Sequence, residues 1–145
     1  NTHLEIQPFR PIGDLQAQEL IAWLQQFDRT VVAVGDFNSA ANPAAPAASK
    51  TNTYDLFLQA GYADIWTRGH APEEGLTCCH APNLLNPVGT FNQRLDLIFV
   101  RQGRGEFAGG VQAAVVGADG ARTAGGLWPS DHAGVPATLR LPQDF

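Results

Sequence analysis

The sequence has 145 residues, 44% of them hydrophobic and 16% charged, which bounds it to one globular domain with a real core and excludes a disordered or fibrous chain. Its net charge is −5 and no basic run is present, so the electrostatic footprint of a strong nucleic-acid binder is missing. No apolar run approaches the ~18 residues that a membrane span requires, and nothing resembles a signal peptide.

The opening residues, Asn1 to Glu5, are β-like and read as the interior or end of a strand. With no Met anywhere, the chain is expected to be a piece of a longer protein. Pro8 and Pro11 then break the chain, and Asp14 is placed to cap a helix. Ala17, Leu20, Ile21, Leu24 and Phe27 fall at i, i+3, i+4, i+7 and i+10, an apolar stripe on a helix of about four turns. Thr30 to Val34 is a β-branched run expected to be a central strand buried on both faces and ended by Gly35. The Ala-, Pro-, Asn- and Ser-rich stretch 39–53 reads as a surface loop, and Tyr54 to Leu58 as a short helix. Residues 68–93 look irregular. Leu95 to Val100 and Val111 to Val116 are further β-like runs. Gly134 to Leu141 alternates Val135, Ala137, Leu139 and Leu141 with polar positions, and Pro136 places that strand at an edge or at its own start. The order β, α, β, α and then several β predicts an α+β or layered α/β sandwich with a mixed sheet, one domain over 1–145.

Chemistry-bearing residues sit where strands end. Alternation puts Asp36 on the face of Val32 and Val34, with Asn38 two residues on, and puts Asp96 on the face of Ile98 and Val100. A carboxylate among buried aliphatics is costly unless it is paired, hydrogen-bonded or metal-bound. Asp131 and His132 directly precede the last strand. Three strand ends carrying Asp, Asn or His suggest one shared site. Each has a plain structural alternative: a turn at Gly35 to Ser39, a satisfied carboxylate at Asp96, a solvated turn at Ser130 to His132, a structural His3. Other signals lead nowhere. Gly103-x-Gly105-x-x-Ala108 is followed by Gly109 and Gly110, which break the helix a dinucleotide loop requires. Neighbouring Ser130, Asp131 and His132 cannot converge as a triad. His70 and His80 have no ligand-spaced partners and are expected in loops. Cys78 and Cys79 lack C-x-x-C spacing and are expected to be packing thiols, with a bonded vicinal pair or a metal site as the alternatives.

Four segments, Asn1-Thr2-His3-Leu4, Gly35-Asp36-Phe37-Asn38-Ser39, Arg94-Leu95-Asp96-Leu97-Ile98-Phe99-Val100 and Trp128-Pro129-Ser130-Asp131-His132-Ala133-Gly134-Val135, together resemble the endonuclease/exonuclease/phosphatase family, which includes pancreatic-type deoxyribonucleases. The resemblance implies divalent-metal-dependent hydrolysis of phosphomonoesters or phosphodiesters. It implies His132 as general base or phosphate-facing ion, Asp96 as the carboxylate behind it, and Asp36 as orienter of water or metal ligand. Asn38 would donate to a phosphoryl oxygen, Asp131 would help bind metal, and His3 would contact phosphate or assist the leaving group. The donors suit Mg²⁺ or Mn²⁺.

The resemblance also implies a four-layer sandwich of two sheets with flanking helices, of which this chain is expected to supply the C-terminal half and about one sheet. In relatives an Asn and a Glu from the preceding half bind the metal, and nothing here matches them, so this piece alone is expected to be a poor catalyst. The open sheet face then needs cover from that N-terminal half or from self-association. The substrate is a phosphate ester of a small molecule, a lipid head group or a nucleic acid; the acidic balance tilts the reading away from long duplex DNA. The rival reading is a catalytically inactive binding or interaction domain that retains the fold.

Overall fold

Two glycine- and proline-dependent features start the architecture. The computed structural model describes residues 1–103, 109–118 and 120–140. β1 (Thr2–His3), α1 (Arg10–Leu24) and β2 (Val31–Asp36) form a β-α-β unit in which the two strands pair in parallel, Thr2 with Gly35 and His3 with Asp36. Pro11 stands in the first turn of α1 rather than breaking the chain, where its missing N–H forfeits no helical hydrogen bond. Gly35 has φ +138°, and a Cβ there would collide with the Thr2 carbonyl, so glycine is what lets β1 lie this close to β2.

α2 (Thr53–Gln59), β3 (Ala63–Asp64), β4 (Asp96–Arg101), β5 (Val111–Ala113) and β6 (Ala137–Leu139) follow. The main sheet has the order β1-β2-β4-β3, with β4 antiparallel to both β2 and β3, and β5 and β6 form a separate two-stranded ribbon. The mixed sheet with flanking helices is the expected α+β class. A second, small sheet is present where only one was expected.

Alternation divides the main sheet. Ala33, Leu97 and Phe99 face α1 and α2, joining Ala17, Ile21, Leu24, Phe37 and Phe57 in the principal core. Phe99 is fully buried, stacked on Phe57 at 4.8 Å and edge-on to Phe37 at 5.0 Å. Burying one such ring contributes about 1.5–3 kcal/mol. On the opposite face Val100 is covered by Ile65 and by apolar residues of the β5–β6 ribbon. Val32 on that face is 41% exposed, so β2 is central but not buried on both sides as its β-branched run suggested.

Other expectations are corrected in detail. Asp14 lies inside α1, not at its cap; its carboxylate accepts bonds from Asn52 Nδ2 at 2.8 Å and Thr53 Oγ1 at 3.2 Å, tying α1 to the start of α2. Phe27 falls beyond the helix, edge-on to Trp23. The 39–53 stretch is no surface loop throughout: Ser39, Ala40, Ala41, Asn42, Ala45 and Ser49 are buried. Small residues pack there without any apolar period to announce them. Cys78 and Cys79 are bonded to each other rather than packing as free thiols. Leu141 and the Gly105 to Ala108 part of the dinucleotide-like motif lie outside the described residues. Among the described residues no helix is long and apolar enough to cross a membrane.

Beneath the sheet end lies a buried ion pair. Arg94 Nη2 is 2.8 Å from Asp64 Oδ2, and both side chains are 2% exposed. Tyr54 donates its hydroxyl to the same oxygen at 2.9 Å, and the Trp66 N–H donates to Asp64 Oδ1 at 3.1 Å. Burial, reinforced by the Asp64 charge, pushes the Tyr54 phenol up to about 12. The Arg94 backbone also exchanges bonds with the 41–42 segment, which fixes the chain two residues ahead of Asp96.

Candidate active site

Strand register alone assembles most of the site. His3 is paired with Asp36 across β1 and β2, and Asp36 is paired with Asp96 across β2 and β4. Three ionisable side chains therefore stand in one row over three neighbouring strands, at the C-terminal ends of β1 and β2 and the N-terminal end of β4. Two carboxylates directly opposite each other repel, so the row carries uncompensated negative charge.

His132 relieves part of it. Its segment is laid against residues 77–80 by an isolated antiparallel bridge between Cys78 and His132, by Ala133 N–H donating to Thr77 O at 2.9 Å and by His80 N–H donating to Asp131 O at 2.8 Å. Trp128, just upstream, stacks on the buried His80 ring at 4.0 Å and donates its indole N–H to Asn86 O at 2.8 Å. Held this way, His132 Nδ1 lies 2.8 Å from Asp96 Oδ2. Thr77 fixes the other partner, its buried Oγ1 accepting the N–H groups of Leu95 at 3.2 Å and Asp96 at 3.3 Å.

The electrostatics follow from this arrangement. The hydrogen bond that His132 donates to Asp96, with smaller help from the Asp96, Asp36 and Asp131 charges, raises the His132 pKa above its ordinary 6.5 against the pull of burial. Burial raises the Asp36 carboxyl above its ordinary value, and the Asp96 charge adds to that. The Asn38 N–H, donating to Asp36 Oδ1 at 2.8 Å, works the other way, as do His132 and His3. His3 is exposed, with Nε2 3.5 Å from Asp36 Oδ2.

Not every predicted residue joins the row. Asn38 is buried in a left-handed conformation, φ +48°, which asparagine tolerates. Its side-chain amide donates to Leu4 O at 2.9 Å, pinning the exit of β1 to the exit of β2. One of its two amide hydrogens is thus committed to the fold. Asp131 is exposed; its carboxylate meets Ser130 Oγ at 3.4 Å and lies outside the ligand-spaced groups found among the described residues. Two contributors were not placed at the site by the sequence. Thr77 gave no sign of holding the Asp96 backbone, and nothing placed Cys79, read as a packing thiol with a metal site as one alternative, beside His132, whose Nε2 lies 3.8 Å from its Sγ.

A divalent ion fits this donor set. Oxygens of Asp36 and Asp96 lie with a ring nitrogen of His132 within 4.8 Å of one another, and the opposed carboxylates present the hard oxygens and net negative charge that Mg²⁺ or Mn²⁺ prefers. His132 Nδ1 is occupied by Asp96, which leaves the carboxylates as the principal ligands.

Fold and site define an α+β protein with a carboxylate–imidazole centre at the ends of its central strands. A sequence profile described as Endonuclease/Exonuclease/phosphatase family matches residues 1–132, and the chain belongs to that family. Its members hydrolyse phosphoester bonds and generally use divalent metals. No match was found among curated proteins.

Proposed function

We propose that this chain carries the catalytic histidine end of a divalent-metal-dependent phosphomonoesterase or phosphodiesterase, akin to the pancreatic-type branch of the family. The observation that supports it is the His132–Asp96 bond beside Asp36 in one cross-strand row. Asp96 holds the proton on Nδ1, so Nε2 is the lone pair that takes a proton from attacking water and later returns it to the leaving oxygen. Asp36 orients that water or ligates the ion. His3, exposed beside it, meets the phosphate or the leaving group. Asn38 sets the rim through Leu4 and has its second amide hydrogen for a phosphoryl oxygen. The ion, held by Asp36 and Asp96 with Asp131 at the rim, supplies Lewis-acid stabilisation of the phosphoryl charge when bound.

In this reading the chain is the C-terminal part of a single domain. The remaining metal ligands and the cover for the Val32 face come from the N-terminal half of the same protein or from a second copy. The substrate is a phosphate ester of a small molecule, lipid head group or nucleic acid, with small esters favoured by the net charge of −5.

Asp36→Asn tests the reading with two opposite effects. Turnover of aryl phosphate esters with Mg²⁺ or Mn²⁺ falls at least ~10²-fold, the scale of losing several kcal/mol of charge stabilisation. With chelator present, the same variant melts at a higher temperature than the parent, because one of two facing carboxylate charges is gone. Full activity in the variant, or a lower melting point without metal, contradicts the assignment.

A further inference from the structure

We propose that Cys78, Cys79 and the Nε2 of His132 form, once the cysteines are reduced, a site for one thiophilic divalent ion of the zinc type, which withdraws His132 from catalysis. The two sulfurs and the imidazole already lie with their ligand atoms within 4.8 Å of one another. Cys79 Sγ is 3.8 Å from Nε2. A tetrahedral zinc ion with a Zn–S bond of ~2.3 Å and a Zn–N bond of ~2.0 Å holds its sulfur and nitrogen about 3.5 Å apart. The Cys79–Nε2 edge therefore closes by a movement of a few tenths of an ångström, while the two sulfurs, bonded to each other in the structure, part to about 3.7 Å once reduced.

The surroundings are those of a prepared histidine ligand. Asp96 binds Nδ1, which fixes the tautomer and leaves Nε2 as an aimed lone pair, the arrangement of a carboxylate behind a metal-bound imidazole. The cysteines are held on a backbone that has few alternatives. Cys78 bridges both Gln93 and His132, its carbonyl accepts the N–H groups of Asn92 at 2.9 Å and Gln93 at 3.2 Å, and Thr90 Oγ1 donates to Cys79 O at 2.7 Å. Cys78 is buried beside Ala40, Ala45 and Leu95, whereas Cys79 is only half-buried and gives the ion a way in.

The donor chemistry separates this site from the carboxylate pair a few ångströms away. Thiolate and imidazole select zinc-type ions; the Asp36 and Asp96 oxygens suit magnesium-type ions. His132 belongs to both, so occupation of one competes with work at the other. The site is also gated by oxidation. In the structure the two sulfurs are bonded to each other, and ligation requires that bond to break. A trialkylphosphine does this with balanced chemistry: the phosphine is oxidised to its oxide with oxygen from water, and each sulfur gains one proton. The ion then displaces both thiol protons.

Cobalt(II) reports the site without any phosphoester assay, so its outcome stands apart from the proposed hydrolytic function. The full chain, reduced with a trialkylphosphine, is titrated with Co²⁺ alone, with folding checked by circular dichroism. The expected result is thiolate-to-cobalt charge-transfer absorption saturating at one ion per chain, bleached by Zn²⁺ and absent from the unreduced protein. Cys79→Ser abolishes the band. His132→Ala, which keeps both thiols, weakens binding at least ~10-fold, no less than the loss of a mere supporting partner costs. No charge-transfer band in the reduced parent, or one that survives unchanged in either folded variant, overturns the proposal.

Discussion

Replacing His132 by alanine is expected to lower turnover of aryl phosphomono- and diesters at least ~10²-fold, the contribution of a single positioned general base. Circular dichroism of the variant checks that the fold is kept; the His132 ring sits at the rim, about a quarter exposed, with Nδ1 on Asp96. Its removal leaves Asp96 and Asp36 facing each other without their imidazole, so binding of a divalent ion persists or tightens while turnover falls. That separation of kcat from metal affinity is the signature of a base rather than of a ligand. The assay is run with Mg²⁺ and with Mn²⁺ on the full-length protein. Unchanged kcat in both would remove His132 from the chemistry.

Asp64→Ala is expected to destabilise the fold by about 3–5 kcal/mol, the largest stability effect anticipated from a single polar side chain here. Asp64 and Arg94 are each 2% exposed, so deleting the carboxylate strands a guanidinium in the interior and orphans the Tyr54 hydroxyl and the Trp66 N–H. An unpaired buried charge costs more than the pair contributes. A double replacement, Asp64→Leu with Arg94→Met, therefore recovers much of the loss. Urea midpoints of the parent, the single and the double variant separate the two terms. A single variant within ~0.5 kcal/mol of the parent, the range of ordinary surface substitutions, contradicts the buried-pair account. Because Arg94 lies two residues before Asp96, the single variant also loosens the start of β4 on which the site stands.

Much of this was legible in the residues, and the limits are physical. The stripe from Ala17 to Leu24 and the alternation in β4 follow from periods of 3.6 and 2, and the same alternation put Asp36 and Asp96 on the sheet face away from the helices. Strand register is another matter. That Asp36 faces Asp96, with His3 on its other side, is set by pairing between distant segments, and a one-residue slip would have dispersed the row. The buried stretch around Ser39 to Asn42 went unread because alanine, serine and asparagine pack at low volume and leave no periodic trace. β3 has only two residues, too few to carry any pattern. Asp14 looked like a cap because nothing local could reveal that Asn52 and Thr53 would arrive beside it. Cys79 was separable from His132 by 53 positions in sequence and is brought to it by backbone bridging alone.

The most direct test of a single charge-coupled centre is the pH titration of the His132 ring by NMR, with chelator and then with saturating Mg²⁺. Without metal, Asp96 favours the imidazolium, so the midpoint lies above the ordinary 6.5. The ion pair then supports the fold below pH 6.5, and that support is lost as pH rises through the raised midpoint. Magnesium on the facing carboxylates cancels their pull and adds positive charge, so the midpoint moves down. A ring that titrates at or below 6.5 and ignores Mg²⁺ would show that His132, Asp96 and Asp36 are neighbours without being one site.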